Sequence, residues 1–163
     1  MNFPEPLKQG DKVFLVCTSS PIFAEDIEKC KETVKNLGFE LVLGESLFEN
    51  IGGYMAGTPE IRAKDLHRAF YNDEIKGIFC IRGGFSASQL LDKLDYELIK
   101  KNPKVFVGYS DVTNLSIAFN QKCNLGVFHG PMVKSNMFND FNEFTKKSFF
   151  NALDKKKNEK WLF

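Results

Sequence analysis

Residues 104–113, KVFVGYSDVT, run from a short apolar stretch through Gly108 into Ser110 and straight on into a helical pattern. A serine presented on such a strand-to-helix elbow becomes a nucleophile once a base takes its proton. The helix beginning at Asp111 supplies free backbone N–H groups and a positive dipole end, the donors that an oxyanion needs. The same Ser-Asp pair also suits a plain helix cap, and the residues alone leave both roles open. Arg82-Gly83-Gly84 follows a second apolar run. Its glycines permit the close backbone approach that a second oxyanion donor or a substrate contact requires, though a tight turn needs them equally. Ser19 and Ser20 follow a third run, where they either touch substrate or cap the next helix. The only histidines are His67 and His129. His67 falls beside a helix's apolar stripe as a boundary residue, and His129 stands at a strand end, where a structural hydrogen bond competes with a role as base. No GxGxxG follows a strand, and no His, Cys and carboxylate residues share metal-ligand spacing, so neither cofactor nor metal is expected.

These residues need a frame that brings them together. Four segments are almost continuously apolar, 13–17, 78–81, 105–107 and 127–128, with 39–43 a weaker fifth. Such runs suit parallel strands buried on both faces. Between them lie helical patterns. The first uses Ile27, Cys30, Val34 and Leu37, with Pro21 in its early turn and Gly38 just past its end. The second opens at Thr58-Pro59 and carries Ile61, Leu66, Ala69 and Phe70. A third is expected to start near Ser86 or Ser88, using Leu90, Leu91 and Leu94, and a fourth continues from the elbow through Val112, Leu115, Ala118 and Phe119. The alternation predicts a single α/β domain: a doubly wound, mostly parallel sheet with helices on both faces, of flavodoxin-like or class I glutamine amidotransferase-like type. Ligands of such sheets bind at the carboxyl ends of the strands, where TSSP, RGG, YSD and HGP all fall.

The nucleophile-bearing domain is expected over 1–140. From Phe141 one more helix is read, with Phe144, Ser148 or Phe149, and Ala152 inward, then the lysine-rich DKKKNEK and an apolar ending, Trp161-Leu162-Phe163, that resembles the opening of another strand. Residues 141–163 are thus read as a helix and the start of a linker to a further, C-terminal domain. With 22 Lys+Arg against 21 Asp+Glu and 43% apolar residues, the chain shows neither the charge of a nucleic-acid binder nor a disordered composition. Its four cysteines are dispersed without a CxxC pair, which suits reduced thiols and a cytoplasmic location. No apolar run approaches the roughly 20 residues of a membrane span.

In order and spacing, PLKQGDKVFLVCTSSP, YMAGTPEIRAKDLHRAF, IKGIFCIRGGF, LLDKLDYELIKKNPKVFVGYSDVTNL and VFHGPM resemble the N-terminal half of the LD-carboxypeptidase family, serine peptidases that include the microcin C immunity type. The resemblance covers nearly all of residues 4–140. It implies a Ser-His-Glu triad that hydrolyses an amide next to a free carboxylate. The substrate is then a muropeptide, cut at the L,D bond before its terminal D-alanine, or in the immunity branch an aminoacyl-nucleotide-like toxin. Ser110 is then the nucleophile, the Gly84 and Asp111 N–H groups hold the oxyanion, and Arg82, Gly83, Ser19 and Ser20 are candidate substrate contacts. The family's glutamate and histidine come from a C-terminal domain, and no residue here corresponds to them, so the chain alone is expected to be nearly inactive and its uncovered apolar surface to favour a homodimer. Many members have Tyr-Gly where this chain has Phe85-Ser86. A carboxylate- or peptide-binding module without hydrolysis is the alternative reading.

Overall fold

The computed structural model describes residues 1–154. Five parallel strands, β1 (Lys12–Val16), β2 (Glu40–Leu43), β3 (Ile75–Cys80), β4 (Val105–Gly108) and β5 (Phe128–His129), form one sheet in the order β2-β1-β3-β4-β5. The expected doubly wound α/β architecture is therefore observed. Strand residues alternate between two cores: Phe14, Val16, Ile78, Cys80 and Phe106 face one, and Val13, Leu15, Phe79, Val105 and Val107 the other. Both faces being buried explains why these strands read as unbroken apolar runs.

On the first face lie α2 (Pro59–Tyr71), α3 (Tyr96–Lys101) and α4 (Thr113–Cys123). The second is covered by α1 (Ala24–Asn36) and α6 (Glu143–Leu153), with the short α5 (Phe138–Asp140) between. Several of the chain's 17 phenylalanines, a bias without meaning in the sequence, pack within these two layers. Phe119 packs edge-on against Phe70 and Phe106 at 5.5 and 4.9 Å, while Phe79 meets Phe39 and Phe149 at 5.6 and 5.8 Å.

Some expectations change. Pro21 precedes α1, whose first turn instead carries Glu25 and Asp26 against the helix dipole. The helix expected from Ser86 or Ser88 is only a 3-10 turn, Ala87–Leu90, and the true helix, α3, starts later, where the Asp95 side chain accepts from Leu98 N–H at 2.9 Å. Leu90 and Leu94 are buried nonetheless, so the apolar spacing was real but reported packing rather than a helix. In α6 the inward residues are Phe149 and Leu153, whereas Phe144 and Ala152 are exposed, because docking of Phe149 on Phe79 sets the helix's rotation. The expected lysine-rich stretch from residue 155 and the strand-like ending lie outside the described residues. All four cysteines are free and buried, and burial pushes the Cys80 thiol up to about 12. No helix among the described residues is long and apolar enough to cross a membrane.

His67 ties α2 to α3: its Nε2 accepts from Asp95 N–H at 2.9 Å, which requires a neutral ring. Burial lowers its pKa and the Asp95 charge only partly offsets this. The unfolded chain therefore binds a proton at a higher pH than the folded one, and stability is lost as pH falls below about 6.5. Urea midpoints at pH 7.5 and 5.5 should differ more for the wild type than for His67→Gln; equal differences would remove His67 from the account.

Candidate active site

In the strand order β2-β1-β3-β4-β5 the direction in which strands are added reverses between the parallel β1 and β3, and ligands of such sheets bind outside the carboxyl ends of the strands at that point. Loops after β1 (Thr18 to Ser20), β3 (Arg82 to Ser86) and β4 (Tyr109 to Asp111) meet there. Ser20 N–H donates to Gly83 O at 3.3 Å, and Ser19 Oγ donates to Asp111 Oδ2 at 2.6 Å.

Ser110 is exposed and adopts φ +59°, in the left-handed region that non-glycine residues seldom enter. The other such residue among those described, Asn124, ends α4, a position asparagine tolerates. Serine has no such excuse, so its strained backbone marks a turn imposed by its surroundings. Beneath it, Gly108 is required by crowding: a Cβ there would lie 2.6 Å from Val112 Cγ1 and 3.2 Å from Cys80 Cβ. Gly83 packs directly on the serine, since a Cβ on it would stand 3.2 Å from both Ser110 Cβ and Oγ and 3.5 Å from Asp111 N. Gly84 is wedged against the β1 loop, where a Cβ would collide with the Ser19 and Ser20 hydroxyls.

The structure thus gathers Ser110, Asp111, Gly83, Gly84, Ser19 and Ser20 at one rim, although not with equal access. Ser19 and Ser20 are buried, and neither caps α1, whose N-cap is Phe23 without a side-chain bond. Arg82 is half-buried and its Nη1 reaches back to Pro21 O at 3.4 Å. His129 is exposed beside Gly108 in the sheet register, with its ring 6.0 Å from that of Tyr109. Among the described residues no hydrogen bond joins Ser110 to either histidine, and no group of three or more His, Cys, Asp or Glu is placed to hold a metal.

Sequence reasoning missed what lies under the rim. Arg62 on α2 is fully buried and donates to Thr18 O, Ser86 O and Oγ, and Gln89 Oε1. The available signal was positional: Arg62 precedes Leu66 and Ala69 by four and seven residues, on the helix's inward stripe, where an unpaired charge is out of place. Above the rim, aromatic rings are exposed on three loops: Phe23, then Phe48 and Tyr54, then Phe85, the last stacked on Tyr54 at 5.9 Å.

Comparison with known proteins agrees with this fold. Residues 13–130 match a family model described as the LD-carboxypeptidase N-terminal domain. A probable murein peptide carboxypeptidase of Bacillus subtilis (strain 168) is 37% identical over 147 residues, which cover 90% of this chain and 46% of that protein. The microcin C7 self-immunity protein MccF of Escherichia coli is 35% identical over 77% of this chain and 37% of its own length. The wild-type apo structure of MccF superposes with a TM-score of 0.89 at 30% identity, covering 96% of this chain and 48% of that one. The chain spans about half the length of the relatives it matches.

Proposed function

The chain belongs to the LD-carboxypeptidase family, and from that premise we propose that it is the nucleophile-bearing half of a serine carboxypeptidase acting on an amide next to a free carboxylate. The observation that carries this reading is the left-handed φ of +59° at an exposed Ser110, packed against Gly83. In the proposed reaction Ser110 Oγ attacks the scissile carbonyl carbon and gives its proton to a base. The Gly84 and Asp111 N–H groups hold the resulting oxyanion. The C–N bond then breaks, the leaving amine takes the proton, and water hydrolyses the acyl-serine.

A glutamate and histidine from a C-terminal domain complete the triad in this reading, and the exposed rings of Phe23, Phe48, Tyr54 and Phe85 form the face that domain covers. Alone, the chain is expected to bind substrate with hydrolysis reduced by on the order of 10² or more, since only binding and oxyanion contributions remain. It is also expected to self-associate through the uncovered rings in light scattering, and a monodisperse monomer at high concentration would remove that expectation.

The test is a hybrid in which this chain replaces the matching half of the Bacillus subtilis relative. A hybrid that releases D-alanine from a tetrapeptide ending in it, while the 163-residue chain alone does not, supports the reading. Glutamyl sulfamoyl guanosine, the ligand in complex with MccF in one solved structure, serves as the second substrate, and preference for it would favour the immunity branch. A folded hybrid that binds the peptide and cleaves neither substrate favours the binding module, a reading that the lack of a histidine hydrogen-bonded to Ser110 also suits.

A further inference from the structure

Arg62 carries a full charge with none of its surface exposed. Burial of an unpaired guanidinium is costly unless its donors are satisfied, and among the described residues no carboxylate forms an ion pair with it. Its donors go instead to neutral oxygens of two loops. Nη1 reaches Thr18 O at 2.9 Å and both Ser86 O and Ser86 Oγ at 3.0 Å, and Nη2 reaches Gln89 Oε1 at 2.8 Å.

The bonds beyond Ser86 have a single direction. Ser86 Oγ accepts from Arg62, which leaves its own proton for Ser19 Oγ at 3.4 Å. Ser19 Oγ also accepts from Ser86 N–H at 3.1 Å and, having taken these bonds, donates to Asp111 Oδ2 at 2.6 Å. The same carboxylate oxygen accepts from Ala87 N–H at 2.9 Å. A buried cation and a half-buried anion are thus joined through two hydroxyls, each bond polarised in the sense that strengthens the next. Burial lowers the Arg62 pKa and the Asp111 charge opposes that shift, as such a link requires.

We propose that Arg62 is a positioning residue, which acts through Ser86 and Ser19 on the Asp111 carboxylate to hold the Ser110-Asp111 backbone against the Gly83-Gly84 loop. The proposal rests on the reading of Ser110 as nucleophile for its catalytic meaning, though its geometry stands apart from it. Lysine cannot replace Arg62, because one ammonium cannot reach Thr18, Ser86 and Gln89 together.

The test uses two readouts, the first on the 163-residue chain. Amide exchange by NMR should show protection at Ala87 reduced at least tenfold in Arg62→Met, Arg62→Lys and Ser86→Ala, with Leu15 and Phe79 in the strands changed less than threefold. A merely structural arginine lowers all three sites by one common factor, and that outcome, or an unchanged Ala87, overturns the proposal. If Arg62→Met does not fold, Ser86→Ala and Ser19→Ala decide it by the same criterion. The second readout, taken on the hybrid enzyme so that a base is present, is the affinity for phenylboronic acid, whose boron is attacked by Ser110 Oγ as the serine proton passes to that base, and boron NMR follows the tetrahedral adduct. Affinity should fall about tenfold in Ser86→Ala and vanish in Ser110→Ala; wild-type affinity in Ser86→Ala counts against the proposal. No adduct in the wild type, with the Ala87 result as expected, would sink the nucleophile reading and leave the positioning role intact.

Discussion

Ser110→Gly is expected to yield a protein more stable than Ser110→Ala and equally devoid of hydrolysis in the hybrid enzyme. Both substitutions delete the hydroxyl, so both should lower turnover by on the order of 10³ or more. They differ in the backbone. At φ +59° an alanine keeps the Cβ that crowds the following carbonyl, and glycine does not. Relief of about 1–2 kcal/mol is offset by roughly 0.5–1 kcal/mol for the freer unfolded chain, leaving glycine ahead by about 0.5–1 kcal/mol. In thermal unfolding that is a rise of about 1–4 °C for a domain of this size. Equal melting temperatures for the two variants would show that the elbow stores no strain. Turnover within tenfold of the wild type in either would show that Ser110 does not attack. The pairing matters because a catalytic serine held at a strained turn trades stability for presentation.

The strands and their order of appearance were legible because the sheet is buried on both faces, so that 13–17 and 105–107 show in the sequence as apolar runs regardless of phase. Thr58 likewise announced α2, and its Oγ1 does accept from Ile61 N–H. The segment after Gly84 was misread for a physical reason. Ser86 and Ser88 look like helix caps, but Ser86 is occupied by Arg62 and Ser19, and the helix waits for Asp95. Apolar spacing at Leu90 and Leu94 could not separate a helix from a turn that buries the same two side chains. At the site, the residue types that meet were readable from RGG and GYSD, whereas the support beneath them was not. Hydrogen bonds between Arg62, Ser86, Ser19 and Asp111 join positions as far as 92 residues apart in the chain, and nothing local in the sequence encodes such a meeting.

The two glycines after Arg82 should fail in different ways when replaced by alanine. At Gly83 the added methyl faces Ser110, the proposed nucleophile, 3.2 Å from its Cβ and Oγ, a distance that a small shift of the serine side chain can absorb. The fold should tolerate it within about 1 kcal/mol, while Ser110 is driven off its attacking position, and a misplacement of this kind lowers turnover on the order of 10²-fold. At Gly84 the methyl instead meets the Ser19 and Ser20 hydroxyls and lies 2.9 Å from Ser20 N, which is backbone and cannot swing aside. The β1 and β3 loops must part, with the loss of the bond from Ser20 N–H to Gly83 O and disturbance of those from Ser86 N–H to Ser19 and from Ser19 to Asp111. Overpacking of this sort destabilises by about 1–3 kcal/mol, and Gly84 N–H leaves the place where an oxyanion would form, so stability and turnover should fall together. Urea midpoints and D-alanine release, measured on the same hybrid variants, separate the two cases. Should Gly83→Ala unfold the domain as readily as Gly84→Ala, the close approach of Gly83 to Ser110 would be a packing requirement, and the site would have to be built from Gly84 and Asp111 alone.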